Sequence, residues 1–173
     1  MKVGNIHKPR MNTALIRKWY DSDINIDEIK NEKIAVIGYG SQGQAQSNNM
    51  KDSGLNIIVG LRKDGESWKK AEADGHKVYE IEKAAEIADI VHILVPDVIQ
   101  SDIYTDKIAP NLKEGNALSF SHGAAIHWKW IMPLKSVDVI MIAPKSPGQR
   151  VREVYLENFG TPALVVVVVD FSG

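Results

Sequence analysis

Gly38-Tyr39-Gly40-Ser41-Gln42-Gly43 constrains this chain more than any other feature. The segment follows Lys33–Ile37, a short β-branched run that reads as a buried strand. It opens Gln42–Ser53, which reads as a helix stopped by Gly54. Three glycines at this spacing matter only in such a context. The first permits a tight turn, the second lets backbone approach a bulky ligand, and the third lets helix pack close on strand.

The rest of the chain repeats the alternation. Asn56–Leu61 reads as a second strand, and Ser67 as the N-cap of a helix through Ala73, with Gly75 just past its end. Val78-Tyr79 is a weak third strand, followed by a helix over Ile81–Ala88. Ile90–Val95 is a fourth strand closed by Pro96, and Ile99–Ile108 a helix ending before Pro110. Asn116–Phe120 and Val137–Ile142 read as strands five and six, the latter closed by Pro144. A helix over Arg150–Glu157 separates them from Ala163–Val169, a five-valine run expected to be a buried core strand. Apolar strands alternating with helices imply an α/β fold of the Rossmann type, doubly wound, with a mostly parallel sheet and helices on both faces.

Composition removes whole classes of function. The 173 residues carry a formal net charge of −1, so no global field favours nucleic acid or an anionic membrane. There is no cysteine, which excludes disulfides and thiolate metal sites and points to a reducing compartment, the cytoplasm. The most apolar run, Ala163–Val169, is far shorter than the roughly 20 residues a membrane helix needs. Residues 1–18 carry Lys2, Lys8, Arg10, Arg17 and Lys18 and read as an exposed basic arm, leaving 19–173 as one dinucleotide-binding domain.

In that fold the helix amides after the glycines face a pyrophosphate. The second strand ends without the acid that holds an NAD ribose; Arg62 and Lys63 stand there instead. Their charges suit a 2′-phosphate, with Ser67 a further donor, which favours NADP. Asp64 and Glu66 in the same loop keep NAD as the alternative. His122 and Lys145 each follow a predicted strand end, where open parallel sheets bind their ligands. His122 could relay protons there or bond the local backbone, and Lys145 could stabilise a developing alkoxide or sit in solvent. Asp97 could bind a cofactor hydroxyl, cap the following helix, or do both.

Several segments together resemble ketol-acid reductoisomerase, also called acetohydroxyacid isomeroreductase. They are KIAVIGYGSQGQAQSNNMKDSG (33–54), IIVGLR, VPDVIQ (95–100), SFSHG (119–123), IAPKSPGQRVR (142–152) and GTPALVVVVVD (160–170). The resemblance implies a two-step reaction on 2-acetolactate or 2-aceto-2-hydroxybutyrate in valine and isoleucine synthesis. A magnesium-dependent alkyl migration is followed by NADPH reduction to a 2,3-dihydroxy acid. Carried over by residue, it gives Tyr39, Gly40, Ser41, Gln42, Arg62, Ser67, Asp97, Val98, Ile99, Gln100 and Gly148 as cofactor contacts, beside Gly38, Gly43 and Lys63. His122 and Lys145 would be catalytic. The family's magnesium carboxylates lie in a C-terminal helical domain without counterpart here, so no metal ligand is expected in this chain. The chain alone should bind cofactor without turnover and could be a monomer, although the complete enzyme would be a homo-oligomer. Gln44 and Gln46 stand where the family often has histidines, Gly65 where it often has serine, and SHGAAIH (121–127) where it often has AHGFNIH. A dehydrogenase or imine reductase of other specificity and a stand-alone NAD(P) module are the competing readings.

Overall fold

A computed structural model describes residues 17–173; most of the expected basic arm lies outside the described residues. Seven strands form one sheet: β1 (Lys33–Ile37), β2 (Asn56–Leu61), β3 (Lys77–Glu80), β4 (Ile90–Ile93), β5 (Ala117–Phe120), β6 (Asp138–Pro144) and β7 (Ala163–Val169). Their order is β3-β2-β1-β4-β5-β6-β7. All neighbours are parallel except β6 and β7, which run antiparallel. The order reverses between β1 and β4, so their first connections leave in opposite directions and open a crevice at the carboxyl ends.

Alternation along the strands fixes which helix covers which face. Ile34, Val36 and Ile57 point to the side of α1 (Ser41–Asp52), and Val59 and Leu61 pack with Ala71 of α2 (Glu66–Ala73). The other face carries Ala35, Ile37, Ile58, Val91, Ile93, Leu118, Phe120 and Val139. It is covered by α3 (Ile81–Ile87), α4 (Asp97–Ile103) with its continuing π-type turn Tyr104–Ile108, and the one-turn α5 (Ala124–His127). The last helix, α6 (Gly148–Leu156), packs on α1.

Three expectations need correction. The helix expected to start at Ser67 begins earlier. Asp64, at φ 60°, reverses the chain, Gly65 takes the N-cap position, and Ser67 becomes the second residue inside. Strand β4 stops at Ile93, and α4 already begins at Asp97. The largest difference is β7, expected as a buried core strand, whose residues are all exposed, from 37% at Val169 to 61% at Val165 and Val167. Among the described residues it pairs only with β6, in antiparallel sense, and no helix shields either face. Composition showed its strand propensity but not its place at the sheet edge.

A contrast between two strands checks that placement. Val167→Lys should change unfolding free energy by no more than about 0.5 kcal/mol, as surface substitutions do. Val59, fully buried, should not tolerate lysine, because an unpaired charge would enter the core. Urea unfolding of both variants decides it, and a large loss from Val167→Lys would contradict an exposed β7.

Candidate functional site

The glycine turn forms where β1 ends. Gly38 has φ +104°, a left-handed conformation that glycine adopts without strain, and its amide donates to the Gly60 carbonyl at 3.1 Å. Gly43 lies so close to the turn that an added Cβ would stand 2.3 Å from the Gly38 carbonyl oxygen. Gly40 differs: a Cβ there would meet no protein atom within 4 Å. The protein leaves that volume open at the N-terminus of a 12-residue helix, where a phosphate would face amides and a favourable dipole.

The carboxyl ends of β1, β4, β5 and β6 enclose a cleft lined by Gln42, Asp97, Gln100, Ser121, His122 and Pro144, with apolar walls from Ile93 to Val95. His122 Nδ1 lies 2.6 Å from Asp97 Oδ2. Gln100, 3% exposed, donates through Nε2 to the Val95 carbonyl (2.9 Å) and to Asp97 Oδ1 (3.1 Å). A buried amide thus orients the carboxylate, and the carboxylate orients the imidazole. Both partners of Nε2 are acceptors, which settles which end of the amide carries nitrogen. Gln100 Oε1 is left buried without a partner. A buried acceptor without a donor costs about 1–3 kcal/mol, and Gln100 carries that cost to hold Asp97 in place.

The other candidate residues lie around this cleft. Val98 (87% exposed) and Ile99 face outward at the start of α4. Lys145 is exposed in the loop after β6, its backbone tied to the Pro162 carbonyl. Gly148 is buried against Ser41; a Cβ would stand 2.2 Å from the Ser41 carbonyl oxygen. Arg62 and Lys63 are exposed after β2 on the same edge of the sheet, with Ser67 in the first turn of α2.

The Tyr39 side chain turns away from the cleft. Its hydroxyl donates to Asp74 Oδ2 at 2.7 Å, and Gln44 Nε2 donates to the same oxygen at 2.8 Å. Burial first, then the Asp74 carboxylate, push the phenol well above its ordinary pKa. Within the loop, Tyr39 therefore offers a ligand its backbone, while its hydroxyl ties the loop, and Gln44 ties α1, to Asp74 at the end of α2.

Sequence reasoning missed the polar group behind the cleft, where Gln46, His92 and Ser121 meet. In the sequence Gln46 is marked only as standing where the family often has histidine. Gln42 and Gln46 are four residues apart, which places them on one helix face, but nothing local marks His92 as their neighbour.

Residues 28–173 match the family described as acetohydroxy acid isomeroreductase, NADPH-binding domain. The chain belongs to the acetohydroxy acid isomeroreductase family. It is 64% identical over 159 residues to the ketol-acid reductoisomerase (NADP(+)) of Nitrosopumilus maritimus, covering 92% of this chain and 48% of that protein. The enzyme of the same name from Pyrococcus abyssi is 57% identical over 159 residues, with the same 92% and 48% coverage. Among solved structures, an NADH-preferring ketol-acid reductoisomerase from an uncultured archean superposes with a TM-score of 0.86 at 49% identity, covering 88% of this chain and 48% of that one. The chain therefore spans about half the length of the family members it matches.

Proposed function

We propose that this chain is the cofactor-binding part of a ketol-acid reductoisomerase, with residues 19–173 forming one dinucleotide-binding domain. Gly38–Gly43 would hold the pyrophosphate. Arg62, Lys63 and Ser67 would hold the 2′-phosphate end, and Asp97–Gln100 with Gly148 the remainder of an NADP molecule. The observation that carries this reading is the open volume at Gly40, at the N-terminus of α1 where the order of the sheet reverses. The polar arrangement of Asp97, Gln100 and His122 in the adjoining cleft supports it. When bound, NADPH supplies the hydride of the reductive step.

The chain's own residues then position and exchange protons. Asp97 holds His122 through Nδ1, which leaves Nε2 to hold or deliver a proton toward a small-molecule 2-acetohydroxy acid. Lys145 would stabilise negative charge developing on a substrate oxygen. Among the described residues no three His, Asp or Glu side chains gather into a group that could hold a metal. The complete protein is proposed to convert 2-acetolactate or 2-aceto-2-hydroxybutyrate to 2,3-dihydroxy acids by alkyl migration, magnesium-dependent in the family, and reduction. We propose a cytoplasmic homo-oligomer for that protein, and cofactor binding without turnover for this chain. No helix among the described residues is long and apolar enough to cross a membrane.

The NADH preference of the archean relative makes NAD the second reading, favoured here by Asp64 in the loop that carries Arg62. Titrating the chain with NADPH and NADH decides between them. Arg62→Ala should weaken NADPH by about tenfold or more, on the scale of a charged hydrogen bond at about 1.5–3 kcal/mol. NADH affinity should change little. Equal losses for both cofactors would remove the 2′-phosphate assignment, and no binding of either would remove the cofactor reading itself.

A further inference from the structure

Behind the cleft lies a hydrogen-bond chain whose polarity the backbone determines. Gln42 reaches the Ser146 carbonyl at 2.9 Å, so the end of its amide at that oxygen must be Nε2, and Oε1 must point back into the protein. Gln46 meets that Oε1 at 3.0 Å and must do so as a donor. The Ser121 hydroxyl spends its proton on the Ile142 carbonyl at 2.8 Å, so it accepts from the same Gln46 Nε2 at 3.0 Å. Both Gln46 donors are then used, and its Oε1 faces His92 Nε2 at 2.9 Å. His92 must therefore donate from Nε2. It is 4% exposed, inside β4 between Val36 of β1 and Ser119 of β5.

The chain joins three elements that no local signal connects. His92 is fixed by the sheet. Gln46 sits on α1. Gln42 and Ser121 line the cleft, and their acceptors Ser146 and Ile142 flank Lys145 at the end of β6 and in the loop beyond it. We infer that Gln46, oriented by His92, is a positioning residue for cofactor binding: it sets Gln42 and Ser121 and, through them, the loop that carries Lys145 and leads into Gly148. Neither residue touches the cleft, and both act through others. The inference rests on the reading of this cleft as the dinucleotide site.

Two pairs of variants of the chain test it, with NADPH affinity as the readout. His92→Gln keeps a donor toward Gln46 Oε1, whereas His92→Leu fills the site without one. A packing role for His92 favours leucine in this buried position; the positioning role favours glutamine. Gln46→His keeps one acceptor and one donor, whereas Gln46→Glu keeps the shape but removes both donors. The expected result is NADPH binding within about threefold of the parent for His92→Gln and Gln46→His, and at least tenfold weaker for His92→Leu and Gln46→Glu. If His92→Leu does not fold, the Gln46 pair gives the answer alone. Binding by His92→Leu or Gln46→Glu equal to their conservative counterparts overturns the inference while leaving the cofactor site standing. Absence of NADPH binding by the parent chain overturns the site reading, and the inference with it.

Discussion

Gly43→Ala is expected to abolish useful dinucleotide binding, weakening NADPH by about a hundredfold or more, and to destabilise the fold. The added Cβ would stand 2.3 Å from the Gly38 carbonyl oxygen and 2.9 Å from its carbon, and both obstacles are backbone. Either α1 moves off β1 or the turn at Gly38 opens, and each movement disperses the amides proposed to face the pyrophosphate. Alanine's better helix propensity returns at most about 1 kcal/mol. Overpacking at a rigid site costs about 1–3 kcal/mol, and a backbone obstacle belongs at the upper end. A hundredfold loss of affinity corresponds to about 2.7 kcal/mol. Gly40→Ala separates binding from folding, because its Cβ meets no protein atom within 4 Å. Urea unfolding should show it nearly as stable as the parent, while NADPH titration shows it clearly weaker. Parent-like affinity in Gly40→Ala would mean that no phosphate approaches the loop there.

What the sequence made legible follows from which forces act locally. The apolar β-branched runs placed every strand, β1, β2 and β7 to the residue. A glycine spacing flanked by strand and helix is enough to locate the end of the cleft at Gly38–Gly43. Three other things depended on tertiary context. The burial of β7 depends on whether a helix packs on it, and the run Ala163–Val169 contains nothing about that. The single turn of α5 over Ala124–His127 is too short to show a period. His92 and Gln46 lie 46 residues apart and meet only once β4 and α1 are laid on the same face of the sheet. The resemblance in SFSHG and VPDVIQ pointed to His122 and Asp97 separately; their 2.6 Å contact follows from β4 and β5 being parallel neighbours in register.

Acid should destabilise this fold through His92, and the sign follows from its burial. Desolvation pushes the imidazole down to about 4 from an ordinary 6.5, with the Ser119 backbone opposing only in part. Its side-chain partners, Gln46 and Ser121, are neutral and supply no charge to hold a proton. The folded-state pKa lies below the unfolded one, so the unfolded chain binds more protons between them. Stability is then fully present above about pH 6.5 and falls as the pH drops toward 4, by about 3 kcal/mol for the 2.5-unit difference. Burial also lowers His76, which adds loss of the same sign. Carboxylates held low in the folded state, such as Glu82 beside Lys107, add more at lower pH. His92→Gln isolates the one contribution, because glutamine retains the donor to Gln46 and cannot titrate. Urea unfolding at pH 7.5 and 4.5 should show the parent losing more stability than His92→Gln, with a gap of about 2–3 kcal/mol. Equal losses would mean that His92 accepts a proton in the folded protein as readily as in the unfolded one. That would contradict its burial.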